Sequence, residues 1–173
     1  LSRRAARFLT MTTLVVFPIV SASWLLPLLT GAISPEATLV TTAGFAPPLS
    51  IALRMGLIES SLTLLVNIAF LVGGFYLLKE FRERSVGAQV LFLLMAVGAN
   101  GLIMTRDLFN LFVFLEILSI ATYGLLVLEQ NGRSLAAGFK YVMAGGISSA
   151  LFLLGTIYLY RLTGTLNIDG MIA

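Results

Sequence analysis

Apolar residues run in long uninterrupted stretches along this chain, and charge gathers in the gaps between them. A helix needs about 20 predominantly apolar residues to cross a bilayer, so the spacing between charges is the informative measure. Five stretches qualify: residues 8–31, 60–78, 85–105, 108–128 and 139–160. A sixth, from Ala37 to Leu53, is too short to span and is broken by Gly44, Pro47 and Pro48. Residues 36–57 therefore read as an extended or hairpin-like segment at the outer membrane surface. Pro18 and Pro27 fall in the first stretch and predict kinks there, whereas the four later stretches contain no proline. The expected fold is an all-α polytopic membrane protein, a single membrane domain over residues 1–173 without internal repeats or linkers.

Composition removes the main alternative. Of 173 residues, 58% are hydrophobic and 11% charged, with a mean hydropathy of +1.00; ordinary soluble domains are roughly 25% charged. A soluble fold this small exposes too much surface to hide such a composition. Cysteine and histidine are absent. The chain therefore offers no thiolate for an iron–sulfur cluster, no imidazole for a haem, no disulfide and no His-based metal site. Neither a cofactor nor a metal is expected in it, and nucleic acid is not an expected partner.

The basic residues set an orientation. Arg3, Arg4, Arg7, Lys79, Arg82, Arg84, Arg133 and Lys140 fall on one side of a five-span chain, and Arg54, Arg106 and Arg161 on the other, eight against three. The N-terminus is expected in the cytoplasm, with 36–57 and the tail after Thr163 outside. The apolar run after Arg7 is too long for a secretory signal sequence.

Glu116 interrupts the fourth stretch near its middle. It lies eight residues beyond Leu108, roughly 12 Å into the membrane at 1.5 Å per residue. A carboxylate there costs about 2.5–3.5 kcal/mol on insertion scales, so such a group faces protein or water and has a task. Ser119 and Tyr123, three and seven residues further on, are expected to place their hydroxyls on the same helical face. That face can hold and release a proton; a permanently protonated or salt-bridged structural glutamate is the alternative. Lys140 opens the last stretch and suits either a functional cation or a lysine reaching the headgroups. Asn67 and Asn100 fit a hydrated path or interhelical packing equally well. Gly73, Gly74, Gly98, Gly101, Gly145, Gly146, Ser148 and Ser149 read as small packing residues without chemistry.

The stretch Thr105-Arg-Asp-Leu-Phe-Asn-Leu-Phe-Val-Phe-Leu-Glu116-Ile-Leu-Ser-Ile-Ala-Thr-Tyr123 resembles the fifth-helix motif of the antiporter-like subunits. This family is shared by respiratory complex I, Mrp-type cation/proton antiporters and membrane-bound hydrogenases. Ala137-Gly-Phe-Lys140-Tyr-Val, Ser148-Ser-Ala-Leu-Phe-Leu-Leu-Gly and Tyr160-Arg-Leu-Thr-Gly-Thr-Leu-Asn resemble its sixth helix and outer exit. Phe45-Ala-Pro-Pro-Leu is similar to the outer hairpin before its third helix. The wording around Asp107–Phe114 looks closest to the Mrp D-type subunit and its hydrogenase relatives.

The resemblance implies that Glu116 and Lys140 lie on a hydrated proton path across the membrane centre. It also implies that the chain covers about helices two to six, so the lysines of the seventh, eighth and twelfth helices lie outside it. Gly56 stands where relatives often carry an aspartate, with Glu59 three residues on. The expected function is part of a proton or cation/proton translocating subunit of a multisubunit complex in a prokaryotic cytoplasmic membrane. The expected partners are lipid, protons or sodium ions, other membrane subunits and a second chain supplying the remaining helices. A truncated, non-pumping scaffold subunit is the rival. An independent small transporter or quinone-reactive anchor fits poorly, because paired repeats and histidine are both lacking.

Overall fold

A computed structural model of the protein describes residues 3–34, 38–42, 45, 50–79, 86–129 and 131–172. The order of elements is α1 (Arg3–Leu29), β1 (Leu39–Thr41), β2 (Ala52–Arg54), α2 (Leu57–Tyr76), α3 (Val86–Met104), α4 (Leu108–Leu126), α5 (Gly132–Thr163) and α6 (Ile168–Ile172). Helices α1 to α5 are each long and apolar enough to cross a membrane. The chain is an integral membrane protein.

The helix ends differ from the charge-free runs for local reasons. Helix α1 starts in the basic segment and continues through Pro18 and Pro27. Helix α2 begins at Leu57 rather than at residue 60, because Arg54 pairs with the Glu59 carboxylate at 2.8 Å and relieves the charge within its first turn. Helix α5 extends well beyond 139–160 at both ends. The Asn131 side chain accepts the Ser134 N–H at 2.7 Å at its start. Gly164 ends it at φ 71°, where the left-handed backbone suits a residue without Cβ. Of the basic stretch Lys79–Arg84, only Lys79 falls within the described residues, and Pro47 and Pro48 lie outside them.

Successive helices pack antiparallel. Asn67 reaches back to Ser21 on α1. A Cβ on Gly98 of α3 would stand 3.0 Å from the Leu118 backbone nitrogen of α4. Glycine at this crossing lets two backbones approach as closely as a lipid environment rewards. The arrangement of side chains inverts that of a soluble protein. Ser21, Ser60, Thr63, Asn67 and Gln89 are buried, whereas Phe8, Ile58, Leu65, Val72 and Leu151 are exposed.

At the end of the bundle where α1, α3 and α5 finish, the connections are tied together. Strands β1 and β2 form an antiparallel pair with Val40 opposite Leu53, and Leu53 bridges in turn to Thr105. The Arg106 N–H donates to the Ala52 carbonyl at 2.8 Å, and the Leu108 N–H to the Leu166 carbonyl at 3.0 Å. Arg106 also hydrogen-bonds and pairs with Asp169. This hydrogen bond, more than the accompanying charge attraction, raises the Arg106 pKa and lowers that of Asp169.

Candidate functional site

Helix α4 is set at its start by the Asp107 side chain, which accepts the Asn110 N–H at 2.8 Å. Glu116 then falls at the ninth of nineteen helical residues. Its carboxylate is half-buried, and Oε1 accepts a hydrogen bond from the Ser149 hydroxyl of α5. No ion pair involves Glu116 among the described residues.

One side of Glu116 opens into a groove of about 420 Å³ between α4 and α5, whose lining includes Ile120, Tyr123, Val142, Gly145 and Gly146. Ile120, Val142 and Gly146 are exposed, so the groove faces outward from the bundle. The Tyr123 hydroxyl occupies the space a side chain at Gly145 would need, and its ring centroid stands 6.4 Å from that of Tyr141. The absence of Cβ at position 145 lets the phenol lie across the helix pair, below the carboxylate.

The expected polar face is thus assembled in part. Tyr123 shares the groove with Glu116; Ser119 does not line it. At about 100° per residue, position i+3 lies about 60° to one side of Glu116, whereas i+4 and i+7 lie on the groove side. That rotation places Ile120 and Tyr123 in the lining and leaves Ser119 out. Lys140 is exposed on α5 and is not brought to Glu116. It stands nine residues from Ser149 along α5, roughly 13 Å at 1.5 Å per residue.

Asn67 and Asn100 form a separate cluster, beside a second groove of about 420 Å³ whose lining includes Ser21, Trp24 and Phe114. The Asn67 amide donates to Ser21 Oγ at 2.8 Å and to Asn100 Oδ1 at 3.0 Å. The Asn100 amide donates to Asn67 Oδ1 at 2.7 Å and to the Ala96 carbonyl at 2.8 Å. All four amide protons have partners, which favours a fastener across α1, α2 and α3 over a water path.

The sequence pattern reads Ser149 as a packing residue, whereas the structure gives it the only hydroxyl contact to Glu116 among the described residues. The signal is the spacing Gly145, Ser149, Phe152, Thr156, which puts these four on one face of α5. Register across the helical hairpin decides which of them meets Glu116, and register is not written in the spacing. Phe112 of α4 stacks on Phe152 at 6.4 Å and holds that register.

Comparison with known proteins places these residues in a family. Residues 105–173, which include Glu116, Lys140 and Ser149, match the family described as "NADH:quinone oxidoreductase/Mrp antiporter, TM". The D-type subunit of a Na(+)/H(+) antiporter from Bacillus subtilis is 39% identical over 131 residues, covering 74% of this chain and 26% of that protein. The N-type subunit of an NADH-quinone oxidoreductase from Desulforudis audaxviator is 36% identical over 159 residues, covering 86% of this chain and 32% of that protein. Among solved structures, a chain of the membrane-bound sulfane sulfur reductase, an archaeal respiratory membrane complex, superposes with a TM-score of 0.86 at 27% identity. That match covers 95% of this chain and 34% of the other. A chain of the Mrp complex from a Dietzia species shares the fold, with a TM-score of 0.80 at 22% identity, over 95% of this chain and 31% of that one. The chain thus spans about a third or less of the length of these relatives. With the fifth- and sixth-helix motifs matched and the helix arrangement superposed along almost its whole length, this chain belongs to the antiporter-like membrane subunits of the NADH:quinone oxidoreductase and Mrp antiporter family.

Proposed function

We propose that the chain forms part of a proton or cation/proton translocating subunit within a multisubunit complex of a prokaryotic cytoplasmic membrane, and that Glu116 carries the proton. The observation that supports this most is the setting of Glu116. It is an acid halfway along a membrane helix, with a single hydroxyl partner and a groove on its open side. An ionised acid with a purely structural role at that depth, costing about 2.5–3.5 kcal/mol to insert, needs a cation or a full set of donors. Among the described residues Glu116 has one donor, on Oε1, which leaves its other oxygen available for exchange in this reading.

In this reading the proton enters and leaves Glu116 through the groove, and Tyr123 extends the polar surface from the carboxylate toward Tyr141. A lysine on a helix beyond this chain exchanges charge with Glu116, since two opposite charges at low effective dielectric couple by several kcal/mol. Lys140 lies farther along the same path, near the end of the bundle where α1 begins, which the basic residues assign to the cytoplasm. The β1–β2 pair and the α6 tail then lie outside. Without cysteine or histidine, the chain holds no redox centre of its own and draws its driving force from neighbouring subunits.

Glu116→Gln tests the reading in the parent complex. Gln keeps the shape and the hydrogen-bonding capacity but cannot ionise. Proton or sodium uptake into inverted vesicles should be abolished, with the amount of assembled complex on native gels unchanged. Normal uptake by this variant would sink the carrier role and promote the non-pumping scaffold.

A further inference from the structure

We infer that Ser149 is a positioning residue for Glu116: its hydroxyl fixes the carboxylate in the orientation from which the proton is exchanged. The inference rests on the carrier reading above and concerns a residue to which the sequence pattern assigns packing and no chemistry.

The behaviour of the other hydroxyls makes the contact informative. In a membrane helix a serine or threonine ordinarily returns its proton to a carbonyl one turn back, which satisfies the hydroxyl without a partner helix. Thr12, Thr13, Ser61, Thr122, Ser148, Thr156 and Thr163 all do so here, bonding the carbonyl four residues earlier. Ser149 has the same option in the Gly145 carbonyl. It donates instead across the interface to Glu116 Oε1. Its neighbour Ser148, on the exposed side of α5, bonds the Ala144 carbonyl at 3.0 Å. Two adjacent serines on one helix thus divide into a local back-bond and an interhelical bond to an acid.

The packing around Ser149 maintains that choice. Phe112 and Phe152 stack on one side of the pair, and the Tyr123 phenol fills the missing side chain of Gly145 on the other. Between these two contacts α4 and α5 are held in one register, which brings a short side chain such as serine to the carboxylate. A donor fixed on Oε1 leaves Oε2 as the oxygen that faces a proton donor or acceptor, so each exchange starts from one geometry. A hydrogen bond to a charged group has the strength to hold it there.

The test uses the complete subunit in its parent complex, with Ser149→Thr and Ser149→Val, which have nearly the same shape and differ in the hydroxyl. Ser149→Thr should retain transport. Ser149→Val should slow it on the order of ten- to a hundredfold, the scale of one hydrogen bond to a charged group. Infrared difference spectra supply the readout that packing alone would not move. The carboxyl band lost in Glu116→Gln identifies Glu116, and that band should shift in Ser149→Val and return in Ser149→Thr. Ser148→Ala should leave both transport and band unchanged. Equal transport and an unshifted band in the Thr and Val variants, with Glu116→Gln inactive, would overturn the positioning role and leave the carrier role standing. If Glu116→Gln transports normally, the carrier role fails by itself, and the band still decides whether Ser149 holds the carboxylate.

Discussion

Asn67 with Asn100 in the α1–α3 part of the bundle, and Glu116 in the α4–α5 hairpin, both set polar groups within apolar helices. Their surroundings differ. Around the asparagines every amide proton is used, and Asn67 is 3% exposed. Around Glu116, among the described residues, one hydroxyl reaches one carboxylate oxygen; Asn100 is half-buried as Glu116 is and each cluster borders a groove of about 420 Å³, so the difference lies in the hydrogen bonds. A saturated cluster cannot accept or release anything without breaking, so it holds helices together. An unsaturated acid in a groove can change its protonation state without dismantling its neighbours. The proposed division between fastener and working group therefore rests on the fraction of hydrogen-bonding capacity already used, since depth in the membrane is similar for both.

The largest expected effect on stability follows from breaking the saturated cluster on one side only. Asn67→Leu leaves one Asn100 amide proton and Asn100 Oδ1 without their partners, while Ser21 keeps its bond to the Phe17 carbonyl and Asn100 its bond to the Ala96 carbonyl; a buried polar group so stranded costs about 1–3 kcal/mol. The amount of assembled complex and its melting temperature should fall, while transport per assembled complex stays near wild type. Replacing both asparagines, Asn67→Leu with Asn100→Leu, should be milder than Asn67→Leu alone, because no amide is then left unpaired. A double variant worse than the sum of the singles would show that the pair does more than fasten.

Next comes the hairpin itself. Gly98→Val forces a branched side chain against the Leu118 backbone, where a Cβ would already stand at 3.0 Å. Overpacking of this kind costs about 1–3 kcal/mol. Because α4 must shift, this variant should lower both assembly and transport, unlike Asn67→Leu.

Lys140→Ala should have a smaller effect than Glu116→Gln, since an exposed lysine roughly two turns or more from the carboxylate can be replaced by water along the path. The check is uptake in the same vesicles; a loss as complete as that of Glu116→Gln would move Lys140 into the exchange step.

The smallest effect is expected at the tied end. Asp169 is held below its ordinary value of 3.8, chiefly by the hydrogen bond from Arg106, with the Arg106 and Arg54 charges adding to it. A carboxylate whose folded pKa is depressed contributes stability that is complete above the unfolded value and lost as pH falls through the folded one. Docking of the tail should therefore be unaffected by pH from neutrality down to about 4 and weaken only in stronger acid. Asp169→Asn should loosen α6 at neutral pH by about 0.2–1 kcal/mol, read as faster hydrogen exchange at residues 168–172. The Ile168 N–H bond to the Arg106 carbonyl limits the loss.

Much of this is legible without coordinates. Five spans follow from the spacing of charges, because lipid tolerates so few of them that each gap marks a boundary. Glu116 stands out as the one charge near the middle of a span. Where sequence and structure part, the common cause is pairing. Glu59 looks like a helix boundary until Arg54 of β2 is seen to pair with it in the first turn of α2. Asn67 and Asn100 cannot be sorted between path and packing until their mutual bonds are known. An i+3 spacing puts Ser119 with Glu116, yet the groove follows i+4 and i+7. Ser149 carries no mark of its contact, because a shift of one turn between α4 and α5 would set Gly145 there instead. Composition and periodicity act on one helix at a time, and which polar atoms meet depends on the register between two.

The central claim is that the two clusters do different work, and one paired measurement tests it: cation-coupled proton uptake per assembled complex in inverted vesicles, for Glu116→Gln beside Asn67→Leu. The account predicts no uptake at wild-type abundance for Glu116→Gln, and near-normal uptake per complex at reduced abundance for Asn67→Leu. Wild-type uptake by Glu116→Gln, or silent but fully assembled complexes for Asn67→Leu, would contradict it.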